Sequence, residues 1–190
     1  MSDPAPVPDK ELAERAVAGD HGAFDTLVRR HTAKMYRVAL RITGSAAEAE
    51  DVVQEAWLSA WRALPGFRHE SAVSTWLYRV ATNGALGQVR RRKPTVPLDE
   101  GDAGVVPGPE GQVVSAEEVG TVLRAIAELD VGQRIPLILR EFEGLTYEEV
   151  AEVLEVSVPA LRARLHRARV ALLAKLRRGP LGENLRPGER

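Results

Sequence analysis

The 190 residues contain no cysteine, which excludes a disulfide framework, a thiolate metal site and a thiol redox switch within the chain. No apolar run approaches the ~20 residues needed to cross a bilayer. The opening MSDPAPVPDKELAER is polar and proline-rich where a signal peptide would need an apolar stretch. These absences predict a cytoplasmic protein with no membrane insertion. No Gly-rich phosphate loop, HExxH or nucleophile elbow is found, and the four histidines, His21, His31, His69 and His166, are scattered. Neither an enzyme nor a cofactor or metal site is therefore expected. A net excess of charge is also missing, since 26 Lys and Arg stand against 27 Asp and Glu. A total near zero would disfavour a nucleic-acid partner if the charges were mixed. They are not mixed. Residues 1–93 hold 14 basic and 11 acidic side chains, residues 94–123 hold none and six, and residues 156–178 hold seven and none.

What is present is enough apolar material, 44%, for a buried core, arranged at helical rather than strand spacing. An all-α fold is expected, built as two small helical domains with a flexible linker between them. Over Pro94–Val114 eight of 21 residues are Pro or Gly, and Asp99, Glu100, Asp102 and Glu110 stand there without a basic residue. Such a stretch reads as an acidic tether. The first domain is placed at 9–93, the tether at 94–114, the second domain at 115–178, and a short disordered tail at 179–190. In the first domain Asp20 is a candidate N-cap, Gly44 a helix end, Ser45 with Glu48 a capping-box spacing, and Pro65-Gly66 a stop. In the second, Ser115 with Glu118, Asp130 with Gln133, and Thr146 with Glu149 mark three helix starts. Pro136 falls beyond the first turn of the middle one, which predicts either a later start or a kink.

Three features could serve binding. Thr146–Leu154, a turn at Glu155-Val156-Ser157 and a helix from Val158 to about Arg178 form a helix-turn-helix, whose second helix enters the DNA major groove in proteins of this design. A solvated cationic face would share that charge pattern, but the preceding turn favours DNA, with Arg162, Arg164, His166 and Arg167 as base or phosphate contacts. All three tryptophans cluster with Phe67 and Tyr78 in the first domain. Trp57 and Trp61 are expected in the core. Phe67 instead lies in a polar loop beside Arg68 and His69, near a helix bearing Arg79, Asn83, Arg90, Arg91, Arg92 and Lys93, an arrangement suited to stacking splayed single-stranded bases. Lastly, Glu48, Asp51 and Glu55 with Gln54 make an acidic helix face, fit either for solvent or for a basic protein partner.

AEDVVQEAWLSAWRALPGF, then STWLYRVATN, then a tether, then REFEGLTYEEVAEVLEVSVPALRARLHRAR resembles the extracytoplasmic-function class of bacterial sigma factors of the sigma-70 family. The likeness spans roughly residues 9–178. It implies a promoter-specificity subunit of RNA polymerase. By position it implies that Asp51, Gln54 and Glu55 meet the clamp helices of the large catalytic subunit of core polymerase. It assigns single-stranded −10 DNA to Phe67, Arg68, His69, Glu70, Ser71, Arg79 and Asn83, and duplex −35 DNA to Arg162, Arg164, His166 and Arg167. An anti-sigma factor is the further partner it implies. The chain departs from the family in having Pro159-Ala160 for the usual Gly-Thr and Ala163 for a frequent Ser, which removes two hydroxyls from the start of the second helix. The competing reading is a helix-turn-helix regulator that binds duplex DNA without polymerase.

Overall fold

The computed structural model describes residues 6–68, 70–92 and 116–178. His69, the expected tether, Ser115 and the expected tail lie outside the described residues. Among the described residues every regular element is helical, as the apolar spacing predicted. The chain divides into two units, one holding residues 1–43 and 47–93 and the other residues 94–190 with the short segment 44–46.

The first unit consists of α1 (Asp9–Val17), α2 (His21–Thr43), α3 (Ala46–Ala63) and α4 (Val73–Arg91), with a 3-10 turn at Leu64–Gly66. Asp20 caps α2 as expected, its Oδ1 accepting from the Ala23 N–H at 3.1 Å. Gly44, at φ +70°, ends α2 in the left-handed conformation that glycine adopts without strain. The core side chains are Leu12, Leu27, Met35, Val38, Ile42 and Leu77, all at most 3% exposed. α3 contributes the small residues Ala49, Val52, Val53, Ala56 and Ala60 to the core. Small residues allow close approach: a Cβ on Gly84 of α4 would sit 3.3 Å from Val52 Cγ1. At the far end, Arg92 donates to the Thr43 carbonyl (2.6 Å) and pairs with Glu48 through Nε (2.9 Å) and Nη2. The cation after α4 is thereby tied to the α2–α3 corner.

α1 is fastened at its start. Asp9 Oδ1 accepts from Arg30 at 2.9 Å and Oδ2 lies 2.6 Å from Nε2 of the buried His31, while Arg30 also reaches the Val7 carbonyl at 2.6 Å. Partial burial pushes the Asp9 carboxyl upward, but the Arg30 and His31 contacts outweigh it and hold the group below its ordinary value. A carboxyl depressed on folding stabilises the fold above its unfolded pKa, about 4, and loses that contribution as pH falls through the lower folded value. Acid titration followed by circular dichroism should therefore show the wild type losing more stability than Asp9→Asn below about pH 4. Equal losses would mean that Asp9 is not held by its partners.

The second unit consists of α5 (Ala116–Ala127), α6 (Val131–Leu137), α7 (Tyr147–Val153) and α8 (Val158–Arg178). α6 starts where Asp130 indicates, the carboxylate accepting from the Gly132 N–H at 2.9 Å. Pro136, with no N–H for the Gly132 carbonyl, does not delay that start. Instead the chain widens after it into a single π turn, Ile138–Phe142, closed by Glu143 N–H to the Ile138 carbonyl at 3.2 Å. α7 opens on a complete capping box: Thr146 Oγ1 accepts from Glu149 N–H (3.1 Å), and Glu149 Oε2 from Thr146 N–H (2.7 Å). The turn to α8 places Glu155 at φ +52°. Leu161, Leu165 and Ala168 of α8 are fully buried and join Ile138, Leu139 and Val150 in the core of this unit. Among the described residues no helix is long and apolar enough to cross a membrane, and no three metal-ligating side chains converge.

Candidate functional site

On α3, Asp51, Gln54 and Glu55 are all exposed. Glu48, expected on the same acidic face, is paired with Arg92. Gln54 borders a groove between α2 and α3 that is lined by His21, Phe24, Val28, Trp57, Leu58 and Trp61. The expectation that Trp57 and Trp61 are core residues is corrected here. Trp61 is 38% and Leu58 54% exposed, and Trp57 is half-buried with its indole N–H donated to Thr32 Oγ1 at 3.0 Å. The ring of Phe24 lies edge-on to both tryptophans, 5.6 Å from Trp57 and 4.7 Å from Trp61, and His21 stacks on Trp61 at 5.4 Å. The physical reason is that Val53, Ala56 and Ala60, at spacings of three and four, already fill the inner side of α3, and Trp57 and Trp61 each lie one residue off it. That offset was the available signal. It identifies Trp57, Leu58 and Trp61 as surface groups that the acidic residues alone did not reveal.

The loop after the 3-10 turn and the α4 face beside it form a second surface. Phe67 is half-buried and stacked on Trp76, with centroids 4.9 Å apart and planes at 30°. Phe67 thus forms a two-ring stack with the buried Trp76. Trp76, Arg79 and Asn83 lie three and four residues apart, so one face of α4 continues the stack, and Asn83 is exposed. Arg68 and Glu70 are both exposed, 4.0 Å apart, and Ser71 is half-buried. The helix begins at Val73, capped by Ala72 with no side-chain bond.

The third surface is α8. Ser157 Oγ accepts from the Ala160 N–H at 3.4 Å, a long cap, and Pro159 occupies the first turn. The four expected contacts do not share one face. Arg164 and Arg167, three apart, line a groove with Asp130, Gly132 and Gln133 at the start of α6. Arg162 lies on the α7 side, its guanidinium 5.4 Å from the Tyr147 ring centroid, and His166, four residues on, is exposed. Arg140 lies over the same ring at 4.9 Å. The Tyr147 phenol is held below its ordinary pKa, chiefly by a hydrogen bond from Arg169 and the charge of that residue. Arg169 in turn donates to Glu141 Oε1 at 2.6 Å, which raises its pKa. Sequence reasoning overlooked Tyr147, Arg140 and Arg169, because they meet only through the fold.

Comparison with known proteins accounts for both units. Residues 27–95 match the sigma-70 region 2 family and residues 120–172 the sigma-70 region 4 family. The RNA polymerase sigma-H factor of Pseudomonas aeruginosa is 40% identical over 86% of this chain and 91% of its own. The ECF RNA polymerase sigma-E factor of Escherichia coli K12 is 38% identical over 86% and 92%, and ECF sigma factor SigM of Mycobacterium tuberculosis 36% over 94% and 89%. Among solved structures, CnrH in complex with the cytosolic domain of CnrY aligns at a TM-score of 0.69 with 29% identity, over 88% of this chain and 96% of that one. The sigma factor RpoE from Bartonella quintana, solved with the anti-sigma factor NepR, shares the fold at a TM-score of 0.65 and 24% identity, over 81% and 96%. With region 2 and region 4 both matched and relatives covered almost end to end, the chain belongs to the extracytoplasmic-function class of the sigma-70 family, the promoter-specificity subunits of bacterial RNA polymerase.

Proposed function

We propose that this sigma factor divides its work among the three surfaces and performs no chemistry of its own. Asp51, Gln54 and Glu55, extended by Trp57, Leu58 and Trp61, dock on the clamp helices of core polymerase. Phe67 to Ser71, with His69 among them, and Arg79 and Asn83 of α4 hold the unpaired −10 strand. Arg162, Arg164, His166 and Arg167 hold the −35 duplex. The observation that carries this reading is that the acidic face of α3 is exposed and continues through Gln54 into an uncovered aromatic groove. Exposed apolar patches of this kind mark protein interfaces. Charged residues at its edge steer encounter and set specificity, while the aromatic groups dominate affinity.

Opening DNA costs a few kcal/mol per unstacked step, and stacking returns about 1–3 kcal/mol per base. Phe67 is already stacked on Trp76, so a captured base meets a ring that is held in place before binding. On a promoter identified by run-off transcription with core polymerase, Phe67→Ala should reduce permanganate-reactive open complex by about ten-fold, within the range that stacking permits. An unchanged open fraction would remove Phe67 from the −10 contact. We also propose an anti-sigma partner that covers the α2–α3 groove. The uncovered groove supports it, as does the likeness to CnrH, which was solved with the cytosolic domain of CnrY.

A further inference from the structure

We propose that Tyr147, the first residue of α7, is a positioning residue for −35 recognition: its ring holds the Arg162 guanidinium in place for a base contact. The inference rests on the reading of Arg162 as a −35 contact and says how that contact is prepared. Arg162 is exposed on α8, and a free arginine there would sample many rotamers. Its guanidinium instead lies 5.4 Å from the Tyr147 centroid, inside cation–π range. The ring is itself fixed. Its backbone begins a helix closed by the Thr146–Glu149 capping box. Arg140, held to the Leu145 carbonyl at 2.7 Å, lies over the ring at 4.9 Å.

The π turn after Pro136 supplies this outer support, since Arg140 belongs to it. Wide turns of this kind commonly mark functional sites. A guanidinium that is ordered before DNA arrives loses less freedom on pairing with a base edge, and bidentate pairing to guanine requires a fixed plane. The ring thus prepares one arginine for sequence reading. Arg164 and Arg167, on the α6 side, receive no such support from Tyr147.

The test uses the full chain bound to core polymerase and a duplex library randomised across the promoter, with sequencing of the bound fragments. Arg162→Ala identifies the positions at which base preference is lost. Tyr147→Leu should lower preference at those same positions by about two- to five-fold, the range of an exposed cation–π contact. Tyr147→Phe, which keeps the ring, should retain it. The double variant Tyr147→Leu with Arg162→Ala should be no flatter than Arg162→Ala alone. Pentafluorophenylalanine at position 147 keeps the shape of the ring and reverses its quadrupole, and should act like leucine without disturbing the fold. If Tyr147→Leu and the fluorinated ring both leave the profile unchanged while Arg162→Ala flattens it, the positioning role is wrong. A uniform loss across all sequences, or a double variant flatter than Arg162→Ala, overturns it too. If Arg162→Ala itself flattens nothing, the −35 reading of Arg162 falls first and the positioning role with it.

Discussion

Trp61→Ala is expected to weaken binding to core RNA polymerase by on the order of thirty-fold or more, the effect of losing about 2 kcal/mol at an interface hot spot. Thermal stability should hardly change. Trp61 is 38% exposed in the free protein, and the inner side of α3 is filled by Ala56 and Ala60, so truncation leaves the core intact. What it removes is the outer wall of the groove, where Trp61 stands against Phe24 and His21. Fluorescence titration of labelled protein with core enzyme measures the loss. Asp51→Ala is the informative companion: an exposed charge at the rim should slow association and lessen the salt dependence, with a smaller effect on affinity. If Trp61→Ala binds as the wild type does, the aromatic groove is not part of the polymerase contact.

Leu165→Ala should separate the two DNA contacts. Leu165 is fully buried on the inner stripe of α8, and deleting its methyl groups into a packed site costs about 2–5 kcal/mol. A unit of this size holds few kcal/mol in reserve, so the helix-turn-helix should melt well below the wild-type temperature. The footprint over the −35 element should disappear. Co-elution with core polymerase should persist, because the α3 face belongs to the unit that ends at Lys93. A retained −35 footprint at the temperature where this unit has melted would place duplex recognition elsewhere.

Much of the architecture was legible because it is written locally. The Asp20 cap, the Thr146–Glu149 box, the left-handed Gly44 and the three-residue turn before Val158 each depend on residues within a few positions of one another. The all-α class follows from the same short-range periodicity. The site was legible in part. Exposure of Asp51, Gln54, Glu55 and Asn83 agrees with an outward polar face, yet the tryptophans were misplaced because a large aromatic residue one position off a stripe of Ala and Val is indistinguishable, by composition, from a core residue. The pairing of Arg92 with Glu48 spans 44 residues, and that of Arg169 with Glu141 spans 28. No local rule foresees such pairings. Pro136 signalled an irregularity without specifying that it would be a π turn, since that choice depends on how Ile138 and Leu139 pack.

Arg92 has a mechanical meaning as well as an electrostatic one. It follows the last residue of α4, and its guanidinium is fastened to the carbonyl that ends α2 and to a carboxylate in the first turn of α3. Tension on the chain at that point is delivered to the α2–α3 corner instead of unwinding the final turn of α4. Were that turn to unravel, each residue released would extend from a rise of about 1.5 Å to roughly 3.5 Å. The clasp therefore protects the end of α4 from fraying by making its last turn part of the α2–α3 corner.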